Sequence, residues 1–194
     1  VIISKTLTYI GREAFKDCIS LKNIVIPNSV TSIDNYAFSG CTSLTDIEIP
    51  DSITSIDWNV FENCKSLTSI VIPSSVTYIK GGAFKGCTNL EDVTILNPQI
   101  NIASDAFKGT KWLEKIQSDS QLTIVDGILV SGKNCSGDVV IPDTVKSIGS
   151  SAFLGCKELT SVIIPDSVTS IGESAFKGCE NLESISIPDT VTSI

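Results

Sequence analysis

One apolar and cysteine skeleton returns every 23 residues along nearly the whole of this 194-residue chain. Phe15, Phe38, Phe61, Phe84 and Phe107 keep that spacing, and the series skips one slot before resuming in phase at Phe153 and Phe176. Cys18, Cys41, Cys64, Cys87, Cys156 and Cys179 follow it, as do Leu21, Leu44, Leu67, Leu90, Leu113, Leu159 and Leu182. A fixed period of about 20–50 residues marks stacked supersecondary units rather than a closed globule. The question of function becomes a question of which surface the stack presents.

Within one unit, the segment L-x-x-I-x-I places Ile24 and Ile26, Ile47 and Ile49, Ile70 and Ile72, or Ile185 and Ile187 two apart. Side chains at that spacing share one face of a short strand. Pro27, Pro50, Pro73, Pro142, Pro165 and Pro188 follow, and a proline cannot donate to a sheet ladder, so each ends its strand. The next pair, such as Asp166-Ser167 or Asp143-Thr144, has side chains that bond locally and favour a turn. Val168 and Ile171 then point inward again. The Ala-Phe pair is expected in a short helical or 3₁₀ turn, closed at Gly40, Gly86, Gly109, Gly155 or Gly178 by a residue suited to a left-handed cap. About eight regular apolar positions per unit, at about 1.5–3 kcal/mol each, do not outweigh the ordering of a whole unit at about 1–2 kcal/mol per residue. Stacking must supply the rest, so stability is a sum of unit and nearest-neighbour contributions.

The run I-P-D-S-V-T-S-I-G-x-S-A-F-K-G-C-x-x-L, from Ile164 to Leu182, resembles the BspA-type, or Treponema-type, leucine-rich repeat. The resemblance covers essentially the whole chain and implies one array, 1–194, of about eight 23-residue repeats. It further implies a repeat solenoid: a right-handed leucine-rich-repeat superhelix with a concave parallel β-sheet, short strands, and helical or 3₁₀ turns on the convex side. Such arrays belong to surface and secreted proteins of host-associated bacteria and some protozoa, where they are linked with adhesion and protein binding. An extracellular or cell-surface location is the matching expectation. The chain begins in the second half of a strand, at Val1-Ile2-Ile3, and Ile194 stops one residue short of the glycine slot. It therefore reads as a segment of a longer protein.

One frame departs from the pattern. Leu96 stands in the proline slot, Thr110 and Lys133 in cysteine slots, and Val130 in the phenylalanine slot. Ile124, Ile128 and Val130, then Val139 to Ile141, read as β segments separated by the Gly/Asn/Ser-rich stretch 131–137. A β-hairpin replacing the helical turn is expected in the repeat at about 117–142. Trp112, just before the expected Leu113 strand, is placed to cover the step where the stack is interrupted.

Composition bounds the chemistry. The net charge is −8 and the lysines are scattered, so no basic stripe exists to follow a nucleic-acid backbone or an anionic membrane surface. No transmembrane stretch is visible either. The absence of histidine removes Ser-His-Asp and Cys-His catalysis and the usual zinc ligands. Asp46 and Glu48 flank the inward Ile47 and stand about 6.5–7 Å apart on one strand face, near the separation of an inverting glycosidase pair. No aromatic platform stands beside them and nothing desolvates either acid, so an exposed charge pair is the simpler reading. Asp51, Asp143, Asp166 and Asp189 share one turn slot. One carboxylate per unit falls short of the six to eight oxygens, roughly, that calcium requires, and turn formation accounts for them. No enzyme, metal or cofactor is expected.

The six ladder cysteines admit three readings: buried thiols meeting neighbouring backbone, disulfides between adjacent units, or a metal site. Stacked strands put them about 5 Å apart, but parallel side chains give poor disulfide geometry, so buried free thiols are favoured. Cys135 lies off the ladder in a loop, and native labelling is expected to modify at most that thiol.

Binding is expected on the outward column of the sheet. Residues between the paired inward positions are Val25, Glu48, Val71, Thr94, Gln117, Ile163 and Ser186, flanked by Asp46, Ser69 and Asp92. This column varies while the inward one barely changes. A face of eight strands at about 4.8 Å measures roughly 600 Å², against about 800 Å² per partner in a standard interface. The expected ligand is a protein, including a host or extracellular-matrix protein, with a glycan also open. The alternative is a structural spacer presenting other domains. Tyr36 and Trp58, at variable turn positions, are further candidate contacts.

Overall fold

The computed structural model describes residues 1–97, 100–117, 121–132 and 134–194. Two compact units are formed: Val1–Ile100 with Asp105–Lys115, and Asn101–Ser104 with Ile116–Ile194. In the first, the I-x-I segments form parallel strands Asn23–Ile24, Asp46–Ile47, Ser69–Ile72 and Asp92–Ile95. Their register is the repeat itself, with Ile24 opposite Ile47 and Val71 opposite Thr94. Alternation buries Ile24, Ile26, Ile47, Ile49, Ile70 and Ile72 and leaves Val25, Glu48 and Val71 exposed, as period two requires. The second unit repeats the arrangement with Gly137–Val140, Leu159–Ile163 and Ser184–Ser186.

A second ladder accompanies the first. The S-I or Y-I dipeptide at the corresponding place in successive frames forms a two-residue parallel strand: Tyr9–Ile10 with Ser32–Ile33, Ser55–Ile56 with Tyr78–Ile79, and Ser147–Ile148 with Ser170–Ile171. Sequence reading located only the inward side chains here. The turn serines also differ from expectation. Ser52, Ser75 and Ser167 donate to the carbonyls of Val30, Ile53 and Val145 in the preceding frame, at 2.5, 2.8 and 2.7 Å. They fasten frames together as well as shaping their own turn.

The Ala-Phe segment is not a helix. Alternate residues close four-residue, 3₁₀-type turns, as in Ala37 N–H to Asp34 O, Ser39 N–H to Tyr36 O and Cys41 N–H to Phe38 O. The residues between them donate to the next frame: Tyr36 to Trp58 O, Phe38 to Val60 O, Gly40 to Glu62 O. A continuous 3₁₀ run would use every N–H within the frame; here half are released to hold the neighbour. Gly40 closes its turn at φ +75, in contact with the Asp17 carboxylate of the preceding frame, so any Cβ there meets both strain and a clash.

Inside this shell the phenylalanines stack. Ring centroids from Phe15 through Phe107 are 5.2, 5.6, 5.3 and 5.0 Å apart, with interplanar angles of 17° or less. Trp112 lies 4.6 Å from Phe107 and tilted by 57°, buried and covering the last ring as expected.

The irregular frame holds two corrections. Where a Leu113 strand was expected stands an α-helix, Lys111–Gln117. Trp112, Leu113 and Ile116 have helical spacing, and Thr110, in the cysteine slot, caps the helix: its Oγ1 accepts from Leu113 N–H at 3.1 Å. The expected hairpin exists but turns elsewhere. Thr123–Val125 pairs antiparallel with Ile128–Ser131 around Asp126-Gly127, whose φ values are +47 and +82. The stretch 131–137 instead carries the chain on to the next sheet strand.

This frame also runs out of step before it recovers. Ile128 pairs with Ser147, Gly132 N–H donates to Ala152 O, and Asp138 pairs with Ser161 in the normal 23-residue register. Gly132, rather than Val130, therefore occupies the phenylalanine position, and the Phe153 ring lies against its bare Cα. Cys135 rather than Lys133 takes the cysteine position; Lys133 lies outside the described residues.

Candidate functional site

The sheet strands set the candidate face, because only their alternate side chains are free of the core. In the first unit Val25 is 72% exposed and Val71 is 54% exposed, with Asp46, Glu48, Ser69, Asp92 and Thr94 exposed around them. Ser69 stands opposite Asp92, and Val71 opposite Thr94. In the second unit Ile163 and Ser186 are in register and exposed. Gln117 is the exception: it ends the helix Lys111–Gln117 and belongs to no sheet strand.

Two residues of the face were missed. Val140 pairs with Ile163, and Asp138 with Ser161; Val140 is 65% exposed. Both stand 23 residues before partners in the column, so the period alone identifies them. They were masked by the irregular frame around them. Thr160 Oγ1 and Ser161 Oγ donate to Asp138 Oδ1 at 3.0 and 2.6 Å. These bonds, that from Ser161 first, hold the Asp138 carboxyl below its ordinary pKa.

The face is not flat where strand gives way to turn. A groove of about 510 Å³ in the second unit is lined by Val140, Ile141, Asp143, Ile163, Ile164, Pro165, Asp166 and Ser167. A second, of about 620 Å³, lies at the matching place in the first unit beside Val25, Pro27, Glu48 and Pro50. The proline bends each chain away from the sheet, so the last exposed strand residue forms the floor of a trough and the following turn one of its walls.

Chemistry beyond binding finds little here. Asp46 and Glu48 are both exposed. Among the described residues no three Asp, Glu, Cys or His side chains cluster as a metal site. Asp143 and Asp166 are exposed and belong to the groove wall rather than to a coordination shell. Tyr36 packs beneath Arg12 and Lys16, 5.8 and 5.5 Å from its ring centroid. Trp58 is 52% exposed but lays its ring over Gly81 of the next frame.

The cysteines form a ladder of free thiols. Cys41, Cys64 and Cys87 donate to the carbonyls of Phe15, Phe38 and Phe61 at 3.1, 3.3 and 3.0 Å. Cys135 corrects the expectation of an exposed loop thiol: it is 3% exposed and donates to Gln121 O at 3.3 Å. Burial pushes the Cys135 and Cys41 thiols up to about 11. For Cys64 the bond with Cys87 and burial act in the same direction. Cys18 is the exposed thiol.

Residues 8–136 and 131–194 match the BspA type Leucine rich repeat region, a family description spanning six copies of the repeat. Among solved structures, the chain is similar to a leucine-rich repeat protein of Bacteroides ovatus, with 25% identity and a TM-score of 0.55. That match covers 100% of this chain and 49% of the other, so the chain spans about half the length of that relative. A leucine rich cell surface protein of Faecalibacterium prausnitzii matches at 24% identity and TM-score 0.53, over 95% of this chain and 78% of that one. The T. pallidum Leucine Rich Repeat protein matches at 28% identity and TM-score 0.44, over 100% and 72%. No curated protein matches the chain. No helix among the described residues is long and apolar enough to cross a membrane.

Proposed function

This chain belongs to the BspA-type leucine-rich repeat family, and on that premise we propose that its outward sheet faces bind protein ligands while the remainder of each frame is scaffold. The observation that carries this is the exposed aliphatic column. Val25, Val71, Val140 and Ile163 lie open while the isoleucines and valines next to them in sequence, such as Ile24, Ile70, Val139 and Val162, are buried. Exposed aliphatics that join across neighbouring strands, as Val140 and Ile163 do, make a contiguous apolar patch of the kind that marks an interaction site. The described strands of the candidate face, Asn23–Ile24, Asp46–Ile47, Ser69–Ile72, Asp92–Ile95, Gly137–Val140, Leu159–Ile163 and Ser184–Ser186, carry no aromatic residue, which favours a protein over a glycan, since sugar recognition draws on aromatic platforms. The role is non-catalytic. The setting is extracellular or at a cell surface, in keeping with the likeness to a cell-surface protein, and a host or extracellular-matrix protein is the ligand class to test first.

The test is an array of extracellular-matrix proteins and glycans, probed with the chain and with a Val71→Arg/Thr94→Arg variant of matched melting temperature. A ligand bound by the parent and lost in the variant supports the reading. Binding unchanged by the two arginines, or no binding at all, favours a spacer that presents other domains.

A further inference from the structure

We propose that the partner of the second unit's sheet face is a basic protein segment, one that carries lysine or arginine beside apolar side chains and seats in the Val140–Ile163 groove. This rests on the reading of that face as a binding surface and goes further by naming the partner's chemistry. Val140 and Ile163 stand in register on adjacent parallel strands, 65% and 54% exposed, and together make an apolar floor. Asp143 and Asp166, one from each frame, follow the strand-ending prolines and line the same groove of about 510 Å³. Asp138 stands on the opposite side, two residues before Val140 on its strand, and its carboxylate is held by the hydroxyls of Thr160 and Ser161. The floor therefore runs between the Asp143 and Asp166 carboxylates on one side and the single carboxylate of Asp138 on the other.

Among the described residues, no lysine or arginine forms an ion pair with Asp138, Asp143 or Asp166. The described lysines of the unit lie elsewhere: Lys146 follows the turn, Lys157 pairs with Glu180 at 2.9 Å, and Lys177 belongs to the Ala-Phe turn. A concave surface lined by one sign of charge concentrates the field along it. An apolar partner without cations would leave the carboxylates to be desolvated unpaired, and an acidic partner is repelled. A segment with both apolar and cationic side chains answers the floor and the walls together. A fully hydrophilic polycation would satisfy only the walls.

The test is fluorescence anisotropy of the full chain with labelled peptides alternating lysine with valine, glutamate with valine, and lysine with serine. The lysine–valine peptide is expected to bind, the glutamate–valine peptide not to, and the lysine–serine peptide to bind more weakly. Asp143→Asn/Asp166→Asn should weaken the first by about five- to tenfold, the combined worth of two exposed ion pairs. Glu158→Gln/Glu173→Gln, which removes the same charge away from the groove, should leave it unchanged. Equal weakening by both pairs, binding of the glutamate peptide, or no binding of the lysine–valine peptide overturns the proposal. Val140→Ser/Ile163→Ser separates the two readings. If it lowers affinity for the tested peptides while the Asp→Asn pair does not, the face binds but its partner is not basic. If neither changes affinity, both readings fall.

Discussion

Phe61 and Gly132 occupy the same slot in two frames, and everything around them differs as a consequence. Phe61 is sandwiched between Phe38 and Phe84, with centroids at 5.6 and 5.3 Å, and its frame keeps the 23-residue register throughout. Gly132 receives the Phe153 ring against its Cα, and its frame gains a hairpin and slips before recovering phase at Asp138. Even so, Gly132 N–H still donates to Ala152 O, and Cys156 Sγ still donates to Gly132 O at 3.2 Å. The backbone ladder persists where the side-chain ladder lapses. Inter-frame peptide hydrogen bonds define the stack, and the aromatic column fills it.

The largest test of that distinction is Phe61→Ala. Removing a fully buried ring from the middle of the column should cost about 3–5 kcal/mol, read from chemical denaturation. A loss below about 1 kcal/mol would mean that neighbouring rings close the gap and that the column is no determinant of stability. Gly132→Ala probes the other side. Its new methyl meets the Phe153 ring, and overpacking of this kind costs about 1–3 kcal/mol. An unchanged midpoint would show that Phe153 has room to swing away and that the frame is loosely packed. Thr110→Ala removes the hydroxyl that caps the helix of the irregular frame, an expected loss of about 1 kcal/mol. A Cys at that position should cost nearly as much, since a thiol is a poor cap.

The thiols give the smallest and most local readout. Cys18 should label rapidly under native conditions, with Cys41, Cys64, Cys87 and Cys135 resisting until the chain unfolds; fast modification of Cys135 would contradict its burial. Folded Cys41 and Cys135 are raised to about 11 from an ordinary 9.0. Stability is therefore full below pH 9, where the unfolded thiols stay protonated, and is lost as pH rises from 9 toward 11. A denaturation midpoint independent of pH across that window would remove the burial effect from both sites.

How much of this could be read from the residues depends on whether their surroundings repeat. The inward isoleucines, the phenylalanine column and the parallel sheet were legible because one environment recurs in frame after frame. The second ladder was not, since a two-residue strand leaves no alternation to detect. The turns were legible as 3₁₀-type turns but not in the release of alternate N–H groups, because only the neighbour's carbonyls decide where those donors go. Gln117 and Cys135 were misplaced for another reason: in-phase counting across 96–142 conceals a slip that is later reversed. Thr110 in a cysteine slot, ahead of residues with helical spacing, was the available signal for the helix. Val140 and Asp138 show the converse, as they obey the period inside a region where it had been set aside.

The release of alternate turn N–H groups to the following frame has a mechanical consequence. The bonds that join frames point along the direction of stacking, so tension between the chain's ends opens them a few at a time, as in a zipper. Strands sheared past each other would have to lose all of theirs together. Under load the protein should yield in small, evenly spaced steps. Each step would release one frame of 23 residues, roughly 80 Å of contour at about 3.3–3.6 Å per residue. The skipped phenylalanine slot would interrupt that cadence once.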